Sequence, residues 1–173
     1  MKRPDDFLIQ TARLQLRPVQ TDDLQTLHKL FADPHIRRYL LDDAVVTEHW
    51  TLSIINQSME RFRTDRCGIW LIESDDSPIG FTGIHAFHDP PELQLLYAIL
   101  PGHCGTGIAT EAAAAVIQHC FAIGQERVMA SVDRPNQDSI KVLQRLGMSF
   151  VKEMELETGP TLFYEIRRQT SKL

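Results

Sequence analysis

A chain of 173 residues with 43% hydrophobic content can bury one substantial core, and a formal net charge of −5 argues against a general nucleic-acid binder, which needs a basic stripe. No segment approaches the ~20 consecutive apolar residues of a membrane-spanning helix, and the amino end, Met1-Lys2-Arg3-Pro4-Asp5-Asp6, carries no apolar stretch of the signal-peptide kind. Three scattered cysteines, Cys67, Cys104 and Cys120, fit reduced thiols, so the reading is a cytoplasmic single domain over 1–173, monomer or homodimer, with no nucleic-acid or membrane partner.

In chain order, Leu8 to Arg17 alternates as a strand, and Thr21-Asp22-Asp23 caps a helix whose apolar positions are Leu24, Leu27, Leu30 and Phe31. Asp33-Pro34 starts a short second helix. Thr47 starts a longer one, with Trp50, Ile54, Ile55, Met59 and Phe62 on one face, running to about Asp65. Residues 68–73 and 79–85 read as a hairpin turning through Ser74-Asp75-Asp76-Ser77-Pro78, and Leu93 to Leu100 is a third, nearly continuous apolar strand. A helix buries Ala109, Ala112, Ala113, Val116, Ile117, Cys120 and Phe121 and stops at Gly124. Then come a strand over 127–132, a helix from Pro135 to Leu146 stopped by Gly147, a hairpin of 149–156 with 162–168, and a frayed tail from Arg167. The order predicts an α/β (α+β) fold with a largely antiparallel sheet. The strand–helix–strand crossover makes 93–100 and 127–132 parallel neighbours.

The chemistry concentrates in Tyr97 to Ala112, where a strand stops at Pro101, crosses a turn with three glycines in six residues (Gly102, Gly105, Gly107) and enters a helix. Glycines allow close backbone approach, and the first N–H groups of the helix lack intrahelical acceptors, so the run is wired as a pyrophosphate cradle. Ile108 and Ala109 follow Gly107 where a nucleotide P-loop requires Lys and Ser or Thr, and Thr110 holds the third glycine place of a dinucleotide fingerprint.

The spacing Cys104-Gly105-Thr106-Gly107-Ile108-Ala109 resembles the acetyl-CoA loop of the GNAT acyltransferases, with Cys104 where Arg or Gln is usual. The longer string to Ala112 is similar to the ribosomal-protein-alanine N-acetyltransferase branch. So are Asn136-Gln137-Asp138-Ser139-Ile140-Lys141-Val142-Leu143-Gln144-Arg145-Leu146-Gly147 and the entry strand Thr11-Ala12-Arg13-Leu14-Gln15-Leu16-Arg17. The resemblance implies a GNAT fold in which the parallel pair splays apart at a bulge and holds the pantetheine arm of acetyl-CoA. It implies cofactor contacts from Ile99, Leu100, Cys104, Gly105, Thr106, Gly107, Ile108, Ala109, Thr110, Asn136 and Ser139. The acceptor it implies is a primary amine, a protein N-terminus first and a small-molecule amine such as a polyamine next. The rival reading is a non-catalytic acyl-CoA sensor on the same scaffold.

Direct attack of a neutral amine on a thioester needs N–H donors for the growing oxyanion, a base for the amine and a donor for the leaving sulfur. Leu143 stands where many relatives carry an acidic Tyr, so Ser139 is the candidate donor. Gln94 stands where many carry Glu, which leaves the base among Glu92, His85, His88, Glu155 and Glu157; Glu153, Glu155 and Glu157 alternate toward one strand face. An N-terminal amine, with a pKa of about 7.7 to 8.0, tolerates a weak base far better than a lysine amine at about 10.4. Adjacent His103 and Cys104 form no convincing nucleophilic pair, and His85 with His88 lacks the further ligands of a zinc site.

Overall fold

The computed structural model describes residues 4–87 and 92–169. The predicted first strand is in fact two, β1 (Ile9–Gln10) and β2 (Gln15–Pro18), paired antiparallel. Thr11 divides them: its N–H donates to the Leu14 carbonyl at 2.9 Å and its hydroxyl accepts the Leu14 N–H at 3.0 Å, so the chain folds back. Residues Thr21–Asp23 form a 3-10 turn rather than a cap, and α1 (Leu24–Ala32) begins after it. Asp23 instead holds Arg17, 2.9 Å from both Nη atoms.

Helix α2 (Pro34–Leu40) starts as predicted, with Asp33 accepting the N–H groups of His35 and Ile36, and α3 (Glu48–Thr64) is capped by the Thr47 hydroxyl. Strands β3 (Ile69–Ser74) and β4 (Ser77–Phe87) meet in a tighter turn than the five residues expected. Asp75 and Asp76 take φ of 48° and 58°, a left-handed pair that aspartate tolerates and that matches strand twist, so β4 starts at Ser77. Strand β5 (Glu92–Ile99) leads through a 3-10 turn at Pro101–His103 to α4 (Ile108–Ala122). Then follow β6 (Arg127–Asp133), α5 (Gln137–Arg145), β7 (Ser149–Leu156) and β8 (Gly159–Arg167). Arg167 and Arg168 are not frayed: Arg167 pairs with Arg127 in the sheet, and the Arg168 N–H reaches the Glu126 carbonyl at 2.8 Å.

The eight strands lie in the order β1-β2-β3-β4-β5-β6-β8-β7, antiparallel except for β5 and β6 at the centre. That mixed sheet, flanked by helices, is the fold class the element order predicts. The parallel pair registers at one position only, Gln94 opposite Met129, and beyond it the strands diverge. The splay needs no bulge against β4, because the β4–β5 register runs unbroken from Phe87–Glu92 to Gly80–Ile99. The core divides by sheet face. Leu95 and Ile99 pack with α4 and α5, while Leu96 packs with α1, α2 and the first half of α3. Among the described residues no helix is long and apolar enough to cross a membrane.

Candidate active site

The gap between β5 and β6 exposes backbone on its β5 side. Leu100 donates its N–H to the Ile79 carbonyl at 2.9 Å, so by strand alternation Tyr97 and Ile99 turn their N–H and C=O groups away from β4 and toward the gap. The Leu100 carbonyl accepts from His103 N–H at 2.9 Å. Of the two backbone positions named from sequence, Ile99 therefore faces the cleft and Leu100 is committed to the scaffold.

At the open end of the gap the loop turns twice through left-handed glycines, Gly105 at φ 73° and Gly107 at φ 81°. Glu111 is the first residue of α4 whose N–H finds a backbone acceptor, Gly107 C=O at 3.0 Å; those of Ile108, Ala109 and Thr110 have none among the described residues. The Thr110 hydroxyl is buried and also lacks a partner there. Behind the loop, Arg13 Nη1 donates to the Thr106 carbonyl at 3.0 Å, while its Nε and Nη2 each lie 2.7 Å from Glu111 Oε2. Glu111 Oε1 accepts the Thr11 hydroxyl at 2.6 Å and the Arg13 N–H at 3.0 Å. Two motifs quoted separately from the sequence are thus one latch that holds the loop to α4. A fan of unpaired N–H groups, an orphaned hydroxyl and a backbone-lined gap fit a pyrophosphate followed by an amide-bearing arm.

Asn136 caps α5 by accepting the Ser139 N–H at 3.2 Å. The Ser139 hydroxyl lies 2.8 Å from the Tyr97 hydroxyl, which also reaches the Ser139 carbonyl at 3.2 Å. Burial pushes the Tyr97 pKa up to about 12, the bond to Ser139 offsetting only part of that effect. Sequence reasoning missed this pair. Tyr97 stood in the quoted strand motif, but its partner is 42 residues away and only the fold brings α5 across the gap. Leu143, in contrast, is 1% exposed and belongs to the core.

The candidate bases scatter. His85 pairs in register with Gln94 at the closed end of the gap, and burial, with a smaller contribution from Arg61, lowers its pKa and favours the neutral imidazole. Gln94 is 1% exposed, and neither amide atom has a partner among the described residues. Glu92 and Ile99 lie at opposite ends of β5, about 23 Å apart by strand rise. Glu92 there borders a depression with Glu126 and Arg127. His88 lies outside the described residues. Glu153 and Glu155 share a face of the exposed outer strand β7, with Glu153 paired to Arg134, but Glu157 falls beyond the strand in the turn. A carboxylate that sequence reasoning passed over, Asp133, stands at the end of β6. It lines an open pocket of about 420 Å³ with Arg38, Tyr39, Asp42, Asp43 and Thr158, on the α2 side of the sheet, somewhat smaller than the pocket of about 500 Å³ that Glu92 borders. Its position as the last residue of a parallel strand, just before the Asn136 motif, was the available signal. Cys104 lies 3.6 Å from Nε2 of His35, on α2, rather than engaging His103, and burial with Asp138 and Asp33 raises its pKa, so it remains a thiol.

The chain is similar in sequence and fold to known proteins. The chain is 28% identical over 150 residues to the uncharacterized N-acetyltransferase YoaA of Bacillus subtilis, covering 84% of each. It is 25% identical over 150 residues to spermidine N(1)-acetyltransferase of Escherichia coli, covering 82% of this chain and 75% of that one. Its fold superposes with a TM-score of 0.80 on RimL, a ribosomal alpha-N-protein acetyltransferase in complex with coenzyme A, at 17% identity, covering 92% of this chain and 97% of that one. Residues 13–149, from the Arg13 latch through the cleft to the start of β7, match the model of the acetyltransferase (GNAT) domain, and the chain belongs to that family.

Proposed function

We propose that this protein transfers the acetyl group of acetyl-CoA to a primary amine, with the N-terminal amine of a protein or peptide as acceptor. The observation that carries the reading is the union of the glycine cradle with the splayed β5–β6 gap: the N–H groups of Ile108, Ala109 and Thr110 find no backbone acceptor among the described residues, and those of Tyr97 and Ile99 turn toward the gap. In this reading Gly105 to Thr110 hold the pyrophosphate, Ile99 and Tyr97 pair with the arm through their backbone, and Asn136 fixes the start of α5 beside it. Bound acetyl-CoA supplies the activated acyl carbon. Ser139 donates a hydrogen bond from its hydroxyl to the departing sulfur. On the amine side we assign proton acceptance to Asp133, in preference to Glu92 and His85, because Asp133 borders the cavity beside the open gap and the other two sit at its closed end.

The cavity lining favours a peptide over a polyamine. Asp42, Asp43 and Asp133 attract an ammonium, while Arg38 and Thr158 offer donors to the backbone carbonyls that a peptide carries and a polyamine lacks. The relationship to a spermidine acetyltransferase supports the competing small-amine reading. Both are separated by incubating the enzyme with acetyl-CoA and peptides bearing free or blocked N-termini, alongside spermidine, with acetylation followed by mass. Free N-termini are expected to react, and Asp133→Asn to lower kcat/KM by roughly 10²-fold, more than Glu92→Gln does. Acetylation of spermidine alone would replace the acceptor, and tight acetyl-CoA binding without transfer to any amine would identify a sensor.

A further inference from the structure

We propose that Tyr97 is a positioning residue whose hydroxyl aims the Ser139 proton into the cleft, an inference that rests on the reading of Ser139 as the donor to sulfur. Tyr97 stands on β5 and Ser139 in the first turn of α5, directly after β6, so their contact bridges the two diverging arms of the sheet. Two hydroxyl protons serve three acceptors here: Tyr97 Oη, Ser139 Oγ and the Ser139 carbonyl, at 2.8 and 3.2 Å. In one arrangement Tyr97 donates to the carbonyl and Ser139 donates to Tyr97, which satisfies both protons internally. In the other, Tyr97 donates to Ser139 Oγ, and the serine proton is released toward the gap. Both use the same heavy-atom positions, so only two O–H bonds rotate. Among the described residues no other donor reaches Ser139 Oγ, so without the tyrosine hydroxyl the serine's own proton would be free to turn elsewhere.

The chemical balance is simple. As the amine nitrogen bonds to the acyl carbon it gives up a proton to the base, assigned above to Asp133; the carbon–sulfur bond breaks, its electron pair goes to sulfur, and Ser139 stabilises that thiolate by donating a hydrogen bond while its O–H stays intact. The thiolate leaves as such or takes its proton from water. The Tyr97 side chain forms no bond to substrate.

The test is a double-mutant cycle with Tyr97→Phe, which keeps the ring, and Ser139→Ala, each checked by melting temperature. Tyr97→Phe is expected to lower kcat about tenfold with KM for acetyl-CoA unchanged, and to have no further effect once Ser139→Ala is present. A binding readout independent of turnover uses CoA and dethio-CoA by calorimetry at pH 7 and pH 9.5. Free thiols ionise near about 8.5, so the wild type is expected to bind CoA several-fold more tightly at the higher pH, with dethio-CoA showing no such gain. Tyr97→Phe should lose most of that gain. If Tyr97→Phe keeps full kcat and the full pH gain while Ser139→Ala loses both, the positioning role is overturned and the Ser139 reading stands. If Ser139→Ala itself keeps both, the Ser139 reading fails first.

Discussion

Cys104 and Gly107 are the two positions at which the proposed cradle can be probed one residue at a time. Cys67 and Cys120 are fully buried, and burial pushes their pKa values up to about 11 and about 12, whereas Cys104 is exposed beside the Ile99 carbonyl. A disulfide reagent at neutral pH is therefore expected to modify one thiol per native chain, slowly because burial also raises the Cys104 pKa, and all three after denaturation. Saturating acetyl-CoA should protect that thiol. Fast reaction of two or more native thiols, or no protection, would separate Cys104 from the cofactor loop. At Gly107 the constraint is backbone conformation rather than space, since an added Cβ would come no closer than 3.6 Å to Arg13 Nη2. A β-branched residue at φ 81° costs about 1–3 kcal/mol of strain or else remodels the loop. Gly107→Val is expected to abolish acetyl-CoA binding in calorimetry while circular dichroism stays native; undiminished binding would detach the cradle from the cofactor.

The latch from the β1–β2 turn to α4 acts one level up, by holding two elements in a fixed relation. Burial alone would raise the Glu111 pKa, but hydrogen bonds from Thr11 and Arg13 outweigh it and hold the carboxyl below its usual value. A depressed folded-state pKa contributes stability that is present above the unfolded value, about 4.3, and is lost as pH falls through the folded one. Glu111→Ala is thus expected to destabilise the protein by about 1–2 kcal/mol at pH 7. The deficit should shrink as pH drops below about 4, in urea unfolding followed across that range. It should also weaken acetyl-CoA binding, because Thr106 loses the guanidinium that Glu111 orients; a pH-independent deficit would mean that packing, not charge, holds the turn. Element identity was legible wherever a local signal fixed it, as with Asp33-Pro34, Thr47 and Asn136. It failed where a distant partner decided: nothing within Leu8 to Arg17 announces that Thr11 will be claimed by its own turn and by Glu111, so one strand was read where two exist. The Asp75-Asp76 turn was misread in length for a different reason, since aspartate is as ordinary in a loose loop as in a left-handed pair.

Across the whole molecule, the cleft arises because β5 and β6 touch at one register position and then separate, a property of the sheet that no single segment encodes. The glycine loop could be read from the sequence because its backbone demands are local; the Tyr97–Ser139 bridge and the Asp133 cavity could not, because each joins elements distant along the chain. A cleft of this kind is held open by packing on both faces, with α4 and α5 on one side and α1, α2 and the first half of α3 on the other. A ligand that spans it ties the two halves of the sheet together and binds the native state alone. At about 100 times its dissociation constant, such a ligand adds ~2.7 kcal/mol, which for a domain of this size raises the melting temperature on the order of 5 to 10 °C. Acetyl-CoA is expected to give a rise of that size in a thermal melt, and ATP, whose phosphates would find no Lys after Gly107, to give little. Gly107→Val should abolish the acetyl-CoA rise and Tyr97→Phe should leave it nearly intact, because the first removes the cradle and the second only redirects a proton. Equal rises with acetyl-CoA and ATP would reduce the site to a general anion cradle, and no rise with either would leave the splay without a ligand of this class.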